Sequence, residues 1–355
     1  MVSLNILVEI GHPAHVHFFK NPIKLWQQQG HSVHVVTRDK EFTHELLKEF
    51  HIPYTSLSKQ QSHIMLQAIE LVIRWTKTFL FIKKQRIDVA ISISGITSAF
   101  PAHFAGIVAI TDSDTEDAVL SNAIAFRFSD VVLTPASCFT HIEVPNRITY
   151  NAFHELAYLH PAWFAPDKTA LRYFDVQEGE RYVVIRLVRW KAVHDIHEKG
   201  ISEHHLEQLL SMLSERGCRV LISTERQLSR QFSPYVVTKH VSNMFDLLAF
   251  SSGYIGESPT MAMEAGILGK PSVFISSRAS HLGYTAEMEE RYGLLHAFQS
   301  FETARSFLED QFFSERLQNA IAKGQEQLQK ETVDLSAWVA DFTVDYTMKH
   351  QARRA

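Results

Sequence analysis

With 355 residues the chain is too long for one ordinary hydrophobic core, and two domains are the expectation. A hydrophobic content of 45%, a charged content of 21% and a formal net charge of -4 describe a globular protein and argue against a nucleic-acid binder. Cys138 and Cys218 form no Cys-x-x-Cys pair, which excludes a disulfide framework and a zinc ribbon.

The opening MVSLNILVEI runs directly into a strand, without a basic region or a small-residue cleavage site, so no signal peptide is expected. No apolar run has the length of a bilayer span. The chain is therefore expected in the cytoplasm or at the inner face of the membrane. Short β-rich runs then alternate with helical ones. LNILVEI, SVHVVTR, YTSL, IDVAISIS, GIVAITD and DVVLTP read as strands, with FFKNPIKLWQQQG, EFTHELLKEF, IMLQAIELVIRWTKTFLFIKK, TSAFPAHFAG and EDAVLSNAIAFRF as helices between them. Such alternation predicts a parallel sheet covered on both faces and joined by right-handed crossovers.

The stretch GHPAHVHFFK follows the first strand. His15 and His17 precede Phe18, Phe19, Ile23 and Trp26, which recur at helical spacing. Two residues apart on a helix point about 200° apart and cannot share a metal, so no metal site is expected here. Gly11 would allow a tight turn, and is a candidate ligand contact. A histidine at the helix start, His15, can hydrogen-bond a substrate hydroxyl, its pKa pushed down by the helix dipole toward the neutral, base-competent form. The alternative is a histidine that only caps the loop. In residues 64–84 a narrow polar stripe of Gln67, Glu70, Arg74 and Lys77 lies in a broad apolar surface. That helix either packs in the core or, with Lys83 and Lys84 beside aromatic residues at its end, makes a peripheral membrane contact.

Asp112, Asp114, Glu116 and Asp117 cluster after GIVAIT. Crowded acids repel, and one is expected to hold a raised pKa; Asp114 and Glu116 are the candidate catalytic carboxylates. A solvated, helix-capping acidic loop is the competing reading. After Tyr150 the pattern loosens through Pro161, Pro166 and Gly179, which reads as a connection between domains. Alternation restarts with RYVVIRLV, SEHHLEQLLSMLSERG, CRVLIST, MFDLLAFSS, GYIGE, PTMAMEAGILG and KPSVFIS. Arg186, Arg189 and Lys199 follow the first of these strands, where they would neutralise a diphosphate, unless they form a solvated basic loop. Met244 opens a short helix and joins the candidate contacts. The strand ending at Gly256 leads to Ser258, a good N-cap, and Pro259, suited to the first helical position. Amides at Ser258, Thr260 and Met261 would then form an anion site at a helix N-terminus. Glu264 sits one turn further on, either as a surface glutamate or as a ribose-binding carboxylate.

Three families resemble this chain. GHPAHVHFFKNPIKLWQQQGHSVHVVT is similar to the opening of GT-B fold glycosyltransferases, including the peptidoglycan transferase that moves N-acetylglucosamine from UDP to a lipid-linked acceptor. His15 falls on that family's turn histidine and Gly30 on the glycine ending its helix, although His12-Pro13 replaces glycine. HPAHVHFFK, Asp114-Thr115-Glu116 and YNAFHELAYL resemble more closely a prokaryotic glycosyltransferase-like family of unknown function. UDP-N-acetylglucosamine 2-epimerase has a similar strand, small-residue turn and helical Glu-Ala. The resemblance implies two Rossmann-like parallel-sheet domains facing a central cleft, at 1–160 for the acceptor and 161–334 for the nucleotide sugar. It implies a closing helix, 335–355, that crosses back to the first domain, with Leu335, Trp338, Val339 and Phe342 on its apolar face. It assigns pyrophosphate to residues 258–261 and ribose to Glu264. The implied activity is metal-independent glycosyl transfer from a UDP-sugar to a glycan or lipid-linked acceptor, without a cofactor. A 2-epimerase-like isomerase and a non-catalytic nucleotide-sugar-binding protein are the alternatives.

Overall fold

The computed structural model describes residues 3–40, 42–61, 63–189, 200–237, 243–277, 279 and 282–354. The chain divides into two compact units, Met1–Trp163 with Val333–Ala355, and Phe164–Thr332.

The first unit runs β1 (Asn5–Ile10), α1 (Pro13–Gln28), β2 (Ser32–Asp39), α2 (Thr43–Glu49), β3 (Tyr54–Lys59), α3 (Ile64–Gln85), β4 (Val89–Ile93), α4 (Ala99–Ala105), β5 (Val108–Asp112), α5 (Val119–Phe128), β6 (Val131–Pro135), β7 (Arg147–Tyr150) and α6 (Leu156–Leu159). Its strands form a parallel sheet in the order β3-β2-β1-β4-β5-β6-β7. Strands β4, β5 and β6 are buried at every position, which is why they appear in the sequence as mostly apolar runs rather than as alternation. The strand order reverses between β1 and β4, and the carboxyl ends there are where open α/β sheets bind ligands.

Two stretches depart from the sequence reading. Arg147–Tyr150 adds an edge strand that was not expected after β6, and the loosened stretch after Tyr150 begins with α6, all four residues of which are buried. Both are too short to show a period. Helix α3 is not a core helix of the usual sense. Its polar residues Glu70, Arg74 and Thr78 are buried, while much of its apolar surface is exposed. Among the described residues no helix is long and apolar enough to cross a membrane.

The second unit runs β8 (Tyr182–Leu187), α7 (Glu203–Glu215), β9 (Arg219–Thr224), α8 (Met244–Phe250), β10 (Tyr254–Gly256), α9 (Pro259–Ile267), β11 (Ser272–Ile275), α10 (Gly283–Glu290), β12 (His296–Phe298), α11 (Phe301–Asp310) and α12 (Glu315–Glu331). Its parallel sheet has the order β12-β11-β10-β8-β9, and here the reversal lies between β8 and β10. Val183, Ile185, Ile255 and Val273 of the sheet pack with Leu206, Leu209 and Leu213 of α7 in its main core.

The last helix, α13 (Leu335–Arg354), belongs to the first unit. Its buried face is Leu335, Ser336, Val339, Ala340, Thr343 and Thr347, small enough for close approach. Trp338 and Phe342 are only half-buried and instead stack along the helix with Tyr346 and His350. Trp26 of α1 donates its indole N–H to the Ala340 carbonyl at 3.0 Å.

Candidate functional site

In the first unit the chain leaves β1 through Gly11 and enters α1 at once. His12 is the N-cap, its Nδ1 accepting from the Ala14 amide at 3.2 Å, with Pro13 in the first turn. His15 lies in the first turn and His17 one turn-fraction later on another face, buried against Phe50 and Tyr158. Burial, then the charge of Lys20, lowers the pKa of His17 to about 3. Gly11 does not have a left-handed backbone, and an added Cβ would meet the Glu9 carboxylate only at 3.4 Å. The tight turn expected of glycine is therefore not what this position needs.

His15 is held well below its ordinary pKa, as expected, but for another reason. Burial is the largest cause, followed by the neighbouring His12 and His154. Its Nδ1 accepts from the Gly11 amide at 3.3 Å. A neutral imidazole with Nδ1 accepting carries its proton on Nε2. In this arrangement His15 offers a donor at Nε2.

The acidic loop is organised by Asp112, a member of the cluster that was not among the candidate catalytic carboxylates. Asp112 ends β5 and is wholly buried. Its Oδ1 accepts from Tyr150 Oη at 2.9 Å and pairs with His154 Nε2 at 2.8 Å. The other ring nitrogen, His154 Nδ1, lies 3.0 Å from Asp114 Oδ2. Both nitrogens thus face carboxylates, the arrangement of an imidazolium. Burial opposes that charge, but Asp114 and Asp112 outweigh it and hold the His154 pKa well above its ordinary value. Asp114 in turn, pushed up by burial, is brought down to about 2 by His154 and by Thr115. The expectation of a raised carboxyl in this loop fails for Asp114. A raised carboxyl lies outside the loop at Glu155, pushed up to about 7 by burial and by the charge of Asp114. Glu116 accepts from the Phe139 amide and braces the turn there, where Phe139 has a left-handed backbone.

In the second unit Ser258 caps α9, its Oγ accepting from the Met261 amide at 3.3 Å, and Pro259 takes the first helical position. Gly256 is required by space: a Cβ would stand 2.5 Å from the Tyr254 hydroxyl and 2.7 Å from the Arg186 carbonyl. That hydroxyl lies under the turn, donating to the Ser258 carbonyl at 3.0 Å and accepting its amide at 3.3 Å. The Ser258 and Met261 amides are therefore engaged within the protein, and of the three expected anion donors they are not the open ones. Glu264 is 6% exposed, which removes the surface-glutamate reading. Arg186 lies inside β8 rather than beyond it, and its guanidinium is taken by Ser223 Oγ at 2.7 Å and by Glu225. Arg189 is exposed, its amide donating to Glu225 Oε2 at 3.2 Å. Met244 is half-buried at the start of α8. Lys199 lies outside the described residues.

Residues 4–283 match the model of a family described as protein of unknown function (DUF354). The chain belongs to that family. No curated protein matches it. Solved structures match along nearly its whole length. UDP-N-acetylglucosamine 2-epimerase from Rickettsia bellii has a TM-score of 0.70 at 13% identity, covering 98% of both chains. The co-structure of S. aureus MnaA with UDP has a TM-score of 0.70 at 11% identity, covering 98% of this chain and 97% of the other. MurG of Acinetobacter baumannii has a TM-score of 0.61 at 14% identity, covering 97% of this chain and 100% of the other. At such identities the likeness establishes the fold, two Rossmann-like parallel-sheet units of the GT-B type.

Within this DUF354 member, the structure brings Asp112, Asp114, Tyr150 and His154 together in the first unit, and Gly256 and Ser258 together over the Tyr254 hydroxyl in the second, with Glu264 buried further along α9. Tyr150, His154 and Glu155 are the residues that sequence reasoning passed over. Their signal was the segment YNAFHELAYL, which carries the family resemblance and places a histidine and a glutamate just past a strand. Among the described residues no group of three or more His, Cys, Asp or Glu side chains is disposed to hold a metal ion.

Proposed function

We propose that this chain is a cytoplasmic, metal-independent enzyme acting on a UDP-sugar, and that the reaction is glycosyl transfer to a glycan or lipid-linked acceptor in cell-envelope or surface polysaccharide synthesis. One observation carries the proposal. At the switch point of the second sheet a serine-capped helix start is followed nearly two turns on by the buried side chain of Glu264. A helix N-terminus suits a diphosphate, and a carboxylate suits paired ribose hydroxyls. On this reading Thr260 and the α9 dipole hold the diphosphate. Exposed Arg189 is better disposed to join them than Arg186, whose charge Glu225 already neutralises.

The first unit supplies the groups that act on the sugar or acceptor. His15 donates from Nε2 to a substrate oxygen, and Asp114, held ionised, is the carboxylate that orients an acceptor hydroxyl. Glu116 supports the loop that carries Asp114. A second reading is isomerisation of the 2-epimerase kind. It is favoured by the crowding of His15, Asp114, His154 and Glu155 in one unit, since an isomerase needs two acid/base groups and no acceptor.

The test is incubation with UDP-N-acetylglucosamine, followed by NMR. Turnover only with an added cell-envelope acceptor is the expected result. An epimer formed without acceptor replaces the transferase by the isomerase. Binding of UDP without any turnover leaves a nucleotide-sugar-binding protein, and absence of binding overturns the proposal altogether.

A further inference from the structure

Helix α3 is amphipathic the wrong way round. Its buried side holds Glu70, which accepts from Ser58 Oγ at 2.6 Å, and Arg74, which donates to Glu9 Oε1 at 2.7 Å. Trp75 donates to the Ile96 carbonyl at 2.7 Å and Lys77 to the Leu57 carbonyl at 2.6 Å. These bonds fix the helix's rotation. They leave Met65, Leu66, Ile69, Val72, Ile73 and Leu80 between 45% and 69% exposed. At 100° per residue these six fall within about 120° of arc, and they extend over about 22 Å of helix. The adjoining α4 adds Phe104, 60% exposed, whose ring packs on Phe100 at 4.6 Å, itself stacked on Trp75. An exposed apolar stripe of this extent on a monomer marks an interaction surface.

Charge identifies the occupant. Lys83, Lys84 and Arg86 are exposed at the end of the stripe. The one acid of α3 is Glu70, which is buried, and α4 has none. A chain with net charge -4 thus presents, on these two helices, a largely apolar face with basic side chains at its end and no exposed acid. A second copy docked on this face by a two-fold axis would offer no α3 or α4 carboxylate to the lysines. An anionic lipid surface offers both hydrocarbon and phosphate.

We infer that α3 and α4 dock this protein on an anionic bilayer, with the stripe from Met65 to Leu80 in the interface and Lys83 and Lys84 on lipid headgroups. The inference does not depend on the reaction catalysed. The experiment is sedimentation of the full chain with vesicles of phosphatidylcholine containing phosphatidylglycerol, against phosphatidylcholine alone, at low and high salt. Binding to the anionic vesicles that weakens with salt is expected. Lys83→Glu with Lys84→Glu should lower partitioning at least about tenfold. Ile69→Ser with Leu80→Ser should do the same, while far-UV circular dichroism and melting remain those of the unmodified chain, since both side chains already face solvent. Equal binding to neutral vesicles, or no binding to either, overturns the inference. So does a dimer in light scattering that the Ile69/Leu80 variant dissociates, because the stripe would then be an interface between copies.

Discussion

The two sheets end in contrasting ways at their switch points. In the first unit the carboxyl ends carry titratable side chains whose protonation is set by one another: Asp112 and Asp114 keep His154 charged, and burial with His12 keeps His15 neutral. In the second unit Arg186 is paired with Glu225 and Arg226 with Glu257, and beside them stands a capped helix start over a tyrosine hydroxyl. One end is tuned by proton equilibria and the other by a fixed dipole that does not titrate. On the proposed function the first alters bonds and the second holds the donor, so damage to them should separate in kinetics.

The comparison breaks most severely if α13 is removed. Truncation before Leu335 should strip the cover from Trp26 and abolish the unfolding transition of the first unit, while a protease-resistant core of residues 164–332 survives. Calorimetry with limited proteolysis checks this, and an unchanged first-unit transition would show the helix to be dispensable. Next is Asp112→Asn, which leaves His154 charged beside one carboxylate. Removing one partner of a buried pair costs about 3–5 kcal/mol, to be read by chemical denaturation, and turnover should fall with it. A variant of wild-type stability would remove Asp112 from the network.

His15→Ala should reduce kcat by about 10²-fold or more with little effect on UDP affinity. If only melting changes, His15 is structural. Glu264→Ala should do the reverse, weakening UDP by about 1.5–3 kcal/mol with kcat nearly intact. Calorimetry giving the same Kd would exclude Glu264 from the donor site. The smallest effect is in pH. His154 has a folded pKa above its unfolded value of 6.5, so its stabilisation is complete below pH 6.5 and is lost as pH rises through the folded value. The stability difference between the unmodified chain and His154→Gln should therefore be largest near pH 6 and shrink toward alkaline pH. A difference that grows with pH would mean that His154 is neutral.

The sheets were legible because their central strands are buried on both faces, and Ser258-Pro259 because capping is local chemistry. What failed was whatever depends on distant neighbours. Residues 64–84 have an apolar stripe in either reading, and only the bonds from Glu70 and Arg74 to β1 and the β3 region decide which side is covered. Asp112 and His154 are 42 positions apart and meet only because β5, β6 and β7 lie side by side. The lowered pKa of His15 was foreseen on the helix dipole, whereas burial leads its causes.

The bond from Trp26 to Ala340 joins residues 314 positions apart. Everything in the second unit lies between them, as one uninterrupted stretch. A ribosome therefore delivers all the residues of the second unit before it delivers the helix that closes the first. Long-range contacts of this kind are formed late, after the loop they enclose has been ordered. The first unit must wait, with the α1 face around Trp26 uncovered, while its neighbour completes itself. Of the two, it is the unit more exposed to aggregation and to chaperones during synthesis.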